Sequence, residues 1–176
     1  MPTNLNTTYW LTCNRINAGC LLHDYFAGLA VNATPPKEII AAGIHTKNKY
    51  GDTPLHHAAQ HGLERIPTAL LTTENLSIEN NDGTTPLHDA AQSGELMLIP
   101  KAAITETALM TKNTLEETPL FYAKENGNLD ILLGIKFSPS IIPEVGQDWF
   151  DKNEAVIRAR EQLSDHEREG TGIEIF

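Results

Sequence analysis

Histidine offers the first chemistry in this chain. His57 and His61 stand four apart, a spacing that places both imidazoles on one face of a helix, within reach of one metal ion. His45 and His56 lie close by in the chain. His88 precedes Asp89, which brings together a general base and a carboxylate. Cys13 and Cys20 could supply a nucleophile or a redox couple. These groups define one candidate function, a small metal- or thiol-dependent enzyme using His57 and His61 or Cys13 and Cys20. The surrounding sequence weakens it. No Glu completes a His-Glu-x-x-His frame, and no Cys pair supplies further ligands. Adjacent residues on a helix point different ways, so Asp89 does not orient His88. The separation of the two cysteines fits no redox motif. There is no Gly-x-Ser-x-Gly elbow and no Gly-x-x-x-x-Gly-Lys-Ser/Thr phosphate loop. The expectation is a protein that is not an enzyme and holds neither metal nor cofactor.

The elements that carry these residues explain them better. Thr85-Pro86-Leu87-His88 is preceded by Thr53-Pro54-Leu55-His56 and followed, at almost the same interval, by Thr118-Pro119-Leu120-Phe121. A constant period of about 33 residues marks a repeat architecture. Within each copy Thr suits a helix N-cap, Pro the first helical position, and Leu the start of an apolar face. The pairs Ala58-Ala59 and Ala90-Ala91 are small enough for close approach of a neighbour. Gly62, Gly94 and Gly127 follow their Thr at one fixed offset, where a short helix should stop. Asp82-Gly83 signals a tight turn ahead of the motif.

The pattern Gly-x-Thr-Pro-Leu-His, a small pair and a closing Gly resembles the ankyrin repeat. Gly51–Gly62 and Gly83–Gly94 follow it closely. Glu116–Gly127 departs from it, with Glu116 for the turn Gly, Phe121 for His and Lys124 for the second Ala. The resemblance implies an all-α ankyrin-repeat solenoid of about four helix-turn-helix repeats with short turn or β-hairpin tips, plus a C-terminal helix. It also implies that His56 and His88, with His23 by position, tie the turns of neighbouring repeats together.

On this reading residues 1–43 hold an N-terminal segment and a degenerate capping repeat. Leu21-Leu22-His23 lies one such period ahead of Pro54-Leu55-His56, and Pro36 opens a second helix. Three repeats follow over 44–77, 78–110 and 111–137. Their second helices are expected to begin at Ile66-Pro67, Ile99-Pro100 and Asn128-Leu129, with the prolines in a first turn. Residues 138–176 form an acidic C-terminal cap, with a capping box at Asp151-Lys152-Asn153-Glu154. Its helix is expected from Lys152 to Glu169, with Val156, Ala159 or Arg160, and Leu163 as its narrow apolar stripe.

Composition restricts the partners. The net charge is −10 without a basic stripe, which disfavours nucleic acid and anionic membrane. Residues 144–176 carry nine acidic and four basic residues, a net of −5. No run is long and apolar enough to span a bilayer, and Met1-Pro2-Thr3-Asn4 does not open a signal peptide. Two cysteines imply no disulfide framework. The expected protein is a monomer in the cytoplasm, its own or that of a host cell into which it is delivered. The resemblance implies non-catalytic binding of another protein by turn tips and the exposed, concave side of the first helices, as an inhibitor, an adaptor or a bacterial effector. By position the tip residues are Lys49, Tyr50 and Asp52, then Asn81, Asp82 and Thr84, then Thr114, Leu115 and Glu117. The helix residues are His57, Gln60 and His61, then Asp89, Gln92 and Ser93, then Tyr122, Glu125 and Asn126. Tyr50 and Tyr122 are the candidate aromatic anchors.

Overall fold

The computed structural model describes residues 22–26 and 35–170, with side chains as far as Ser164. Among the described residues all regular structure is helical, and the chain falls into two compact units, Met1–Asn128 and Leu129–Phe176.

The first unit is built on three parallel copies of one helix: Pro54–His61, Pro86–Ser93 and Pro119–Glu125. Each begins at its Thr-Pro pair. The N-caps Thr53, Thr85 and Thr118 hold extended backbone, and Pro occupies the first turn, where no N–H is required. The Thr85 and Thr118 hydroxyls accept from the backbone N–H of His88 (3.4 Å) and Phe121 (3.0 Å). Leu55, Leu87 and Leu120 are buried, as are Ala58, Ala59, Ala90, Ala91 and Ala123. The middle helix packs against both of the others, and the alanines let the backbones approach.

The outer arm of each repeat differs from the expected second helix. In the second repeat it is three short pieces: 3-10 turns Leu63–Arg65 and Thr68–Leu70, then the single α-turn Thr73–Leu76. The third repeat reproduces them as Glu95–Leu98, Lys101–Ala103 and Glu106–Leu109. Pro67 and Pro100 therefore do not start a helix; they stand in a break between two turns. A residue that precedes proline is driven out of helical space. Ile66 (φ −83°, ψ 129°) and Ile99 (φ −86°, ψ 130°) are accordingly extended, yet both are buried. The final turn restarts on its own cap, with the Thr72 hydroxyl accepting from Asn75 N–H and the Thr105 hydroxyl from Ala108 N–H.

Ahead of these repeats, residues 22–26 are helical with Leu22 and Phe26 buried, and Lys37–Gly43 forms the helix expected after Pro36. Cys13, Cys20 and Tyr9-Trp10-Leu11 lie outside the described residues.

The second unit contains the short turns Leu129–Leu132, Pro139–Ile141 and Ile142–Val145, then the long helix Gln147–Gly170. That helix starts more than one turn before the expected Lys152, so Asn153 is inside it and no capping box forms. The Asn153 side chain is buried. Its Oδ1 accepts from Gly134 N–H (2.6 Å) and its Nδ2 donates to Ile135 O (2.9 Å). The buried stripe is Phe150, Asn153 and Ile157, while Leu163 is 67% exposed. Starting the helix ahead of Trp149-Phe150 brings a large apolar side chain into the stripe, which the expected register had left outside.

Candidate protein-binding face

Three turn tips precede the three first helices, and an asparagine organises each. The Asn48 Oδ1 accepts from the N–H groups of Tyr50 (2.8 Å) and Asp52 (3.0 Å). Asn80 does the same for Asp82 and Thr84, and Asn113 for Leu115 and Glu117. Each asparagine N–H also donates to the carbonyl four positions on, which closes the turn. These asparagines precede Thr53, Thr85 and Thr118 at one fixed offset, and so recur with the period of the motif itself. That recurrence stands in the sequence, overshadowed by the Thr-Pro-Leu-His signal beside it. The turns also need one left-handed residue. Gly51 (φ 82°) and Gly83 (φ 70°) supply it in two copies, and Glu116 (φ 64°) holds the same conformation in the third.

Adjacent tips are joined. Asn81 N–H donates to Tyr50 O (3.0 Å), and Thr114 N–H to Asp82 O (2.9 Å). The Asn80 Nδ2 donates to Asp52 Oδ1 at 2.7 Å, and Asn81 Nδ2 to Lys49 O at 3.2 Å. Burial opposes the Asp52 carboxylate, but the Asn80 and Asn48 amides outweigh it and hold its pKa below the ordinary value.

The repeated histidines act between tips. His56 Nδ1 accepts from Thr53 N–H (3.0 Å), so the proton is on Nε2, which donates to Thr84 O (3.1 Å) of the next tip. His88 repeats this with Thr85 N–H and Glu117 O. The His23 Nε2 donates to Thr46 O (2.8 Å), but its Nδ1 is buried without a partner among the described residues. The residue three before it is Cys20, where the other copies have Thr. Burial lowers the pKa of all three imidazoles, that of His56 to about 4. His57 lies edge-on to His23, with ring centroids 5.3 Å apart. Among the described residues no three His, Cys, Asp or Glu side chains gather as metal ligands.

On the tips, Tyr50 is 59% and Leu115 72% exposed, and Lys49, Asn81, Asp82 and Thr114 are also exposed. Asp52, Thr84 and Glu117 are half-buried. The Lys49 ammonium lies 4.7 Å from the Tyr50 ring centroid. Tyr122 is half-buried and donates its hydroxyl to Glu117 Oε2 (2.5 Å).

Along the first helices, Gln60, His61, Gln92, Ser93, Glu125 and Asn126 are exposed and His57 is half-buried. Two of them bond to backbone carbonyls of the preceding first helix. The Ser93 Oγ donates to Ala59 O (2.7 Å), and Asn126 Nδ2 to Gln92 O (3.1 Å). Each supplies a partner to a carbonyl near the end of the preceding helix, where intrahelical donors run out. Asp89 departs from the expected solvated position. It is 6% exposed, its Oδ1 accepts from Gln60 Nε2 (3.1 Å), and burial pushes its carboxyl up to about 7. Asp89 lines a shallow groove of about 350 Å³ with Gln60, His61, Gln92 and Ser93, five of the residues expected on this face.

Residues 36–103 match the family model for ankyrin repeats (3 copies), and this part of the chain is built of ankyrin repeats. No curated protein matches the chain. Ankyrin repeats are generally protein–protein interaction modules, and no helix of the described residues is long and apolar enough to cross a membrane.

Proposed function

We propose that the protein binds another protein, without catalysis, through the turn tips and the exposed side of the first helices, as an inhibitor, an adaptor or a bacterial effector. One observation carries the reading: large apolar side chains stand in solvent on tips whose backbones are locked. Tyr50 and Leu115 occupy the same face as Lys49, Asn81, Asp82 and Thr114. The asparagine turns and the bonds between tips fix those backbones before any partner arrives. Binding then orders few residues, which leaves more of the contact energy as affinity. Exposed aromatic residues on a rigid support are the usual anchors of such interfaces. The Tyr122 ring, held by Glu117, extends the surface towards the last first helix.

The test is affinity capture with mass spectrometry from the native cell, with wild-type protein beside a Tyr50→Ala, Leu115→Ala double variant. Both side chains are solvent-exposed, so the variant should melt within about 2 °C of wild type. We expect the dominant captured protein to fall at least tenfold. Unchanged capture by the folded variant overturns the reading.

A further inference from the structure

Among the described residues Asp89 has no cationic partner. No Lys or Arg lines its groove, and its Oδ2 has no hydrogen-bond partner among the described residues. Asp89 is 6% exposed, so water meets its carboxyl only through the groove, and a cation that enters there meets a carboxyl that no Lys or Arg of the groove neutralises. We propose that the groove receives the ε-ammonium of a lysine side chain carried by the protein partner. This inference rests on the binding face proposed above.

The valences of the groove select the ligand. Gln60 gives one Nε2–H to Asp89, which leaves its Oε1 and its second N–H. Ser93 spends its hydroxyl proton on Ala59 O, which leaves the lone pairs of Oγ. Asp89 Oδ2, Gln60 Oε1 and Ser93 Oγ thus form a set of three acceptors, beside the Gln92 amide and the His61 imidazole. A lysine ammonium has three donors and no acceptor, so it complements that set. Arginine fits less well, because its strength lies in bidentate pairing with both carboxylate oxygens and Oδ1 is already committed to Gln60. The apolar stem of lysine suits a shallow groove of about 350 Å³, and the net charge of −10 favours a basic partner at long range. Burial holds the empty carboxyl at about 7, so an ammonium against Oδ2 would complete its ionisation and release a proton.

The experiment selects a phage-displayed random dodecapeptide library on the full chain and measures the affinity of the recovered peptides. We expect one lysine recurring at a fixed position. Replacing it by acetyl-lysine in the synthetic peptide should weaken binding at least tenfold, without touching the protein. Asp89→Asn, which keeps the side-chain shape, should weaken the unmodified peptide to a similar degree. Peptides lost on the Tyr50→Ala, Leu115→Ala variant but indifferent to acetylation and to Asp89→Asn would overturn the ammonium site alone. Arginine recurring in place of lysine would overturn it too. Peptides indifferent to the double variant and to Asp89→Asn, or no binders at all, would count against the face itself.

Discussion

At the scale of the residue, the same backbone position answers to two side chains. Gly51 and Gly83 take the left-handed turn conformation without strain, whereas Glu116 takes it with a Cβ. Its ion pair with Lys112, at 2.8 Å, is exposed and contributes little against that strain. Glu116→Gly should therefore raise the melting temperature by about 2–4 °C, read by circular dichroism. A fall would mean that the turn is shaped by the Glu side chain. The reverse change is forbidden for a further reason at Gly51, where a Cβ would lie 2.6 Å from Asn81 Oδ1 and 2.7 Å from its backbone nitrogen. Asp89 illustrates what single residues conceal. Its type suggests a solvated helix position, yet it is buried and bonded to Gln60 of the preceding first helix.

At the scale of the element, the tip and the outer arm were unequally legible. Thr53, Thr85 and Thr118 announced the first helices because cap, proline and apolar face are local signals in consecutive residues. The tips are half legible. Asp82-Gly83 marks a turn, but the expected tip residues include Asn81 and not Asn80, which organises it. Asn80 accepts from two backbone N–H groups and donates to Asp52. Asn80→Ala leaves those donors and that carboxylate without their partner, and should cost about 1–3 kcal/mol in urea denaturation. A loss below about 0.5 kcal/mol would mean that water takes over the role. The outer arm is legible only in part: the expectation of a second helix opening at each proline meets two 3-10 turns and an α-turn instead. The dipeptides Ile66-Pro67 and Ile99-Pro100 carry the contrary information, since a proline excludes its predecessor from the helix.

At the scale of the whole molecule, the buried titrating groups set its response to pH. His56 is held at about 4 against 6.5, and burial lowers His23 and His88 as well. The unfolded chain therefore gains protons first as pH falls below about 6.5, and stability is lost on the way to about 4. Asp89 works oppositely. Its carboxyl sits at about 7 against 3.8, so the unfolded chain ionises first and stability is lost as pH rises from about 4 to 7. Over the shared interval the two effects offset. Asp89→Asn should raise the melting temperature at pH 7 and steepen its decline towards pH 5; thermal melts across pH 4–8 read both, and an unchanged slope would mean that Asp89 titrates as an ordinary carboxyl. Legibility followed sequence distance here as well: the repeat period revealed the architecture, while the groove required side chains from successive repeats, such as Gln60 and Asp89, to meet. Stability is also spread unevenly. The proline-broken outer arms are held by short i−3 bonds, such as Ile66 N–H to Leu63 O and Leu71 N–H to Thr68 O, where the first helices have full turns. In deuterated water the amides of 63–71 and 96–104 should exchange well before those of Ala58, Ala59, Ala90 and Ala91. Each repeat would then have a slow side and a fast side, and local opening on the fast side would leave the inner row of helices intact.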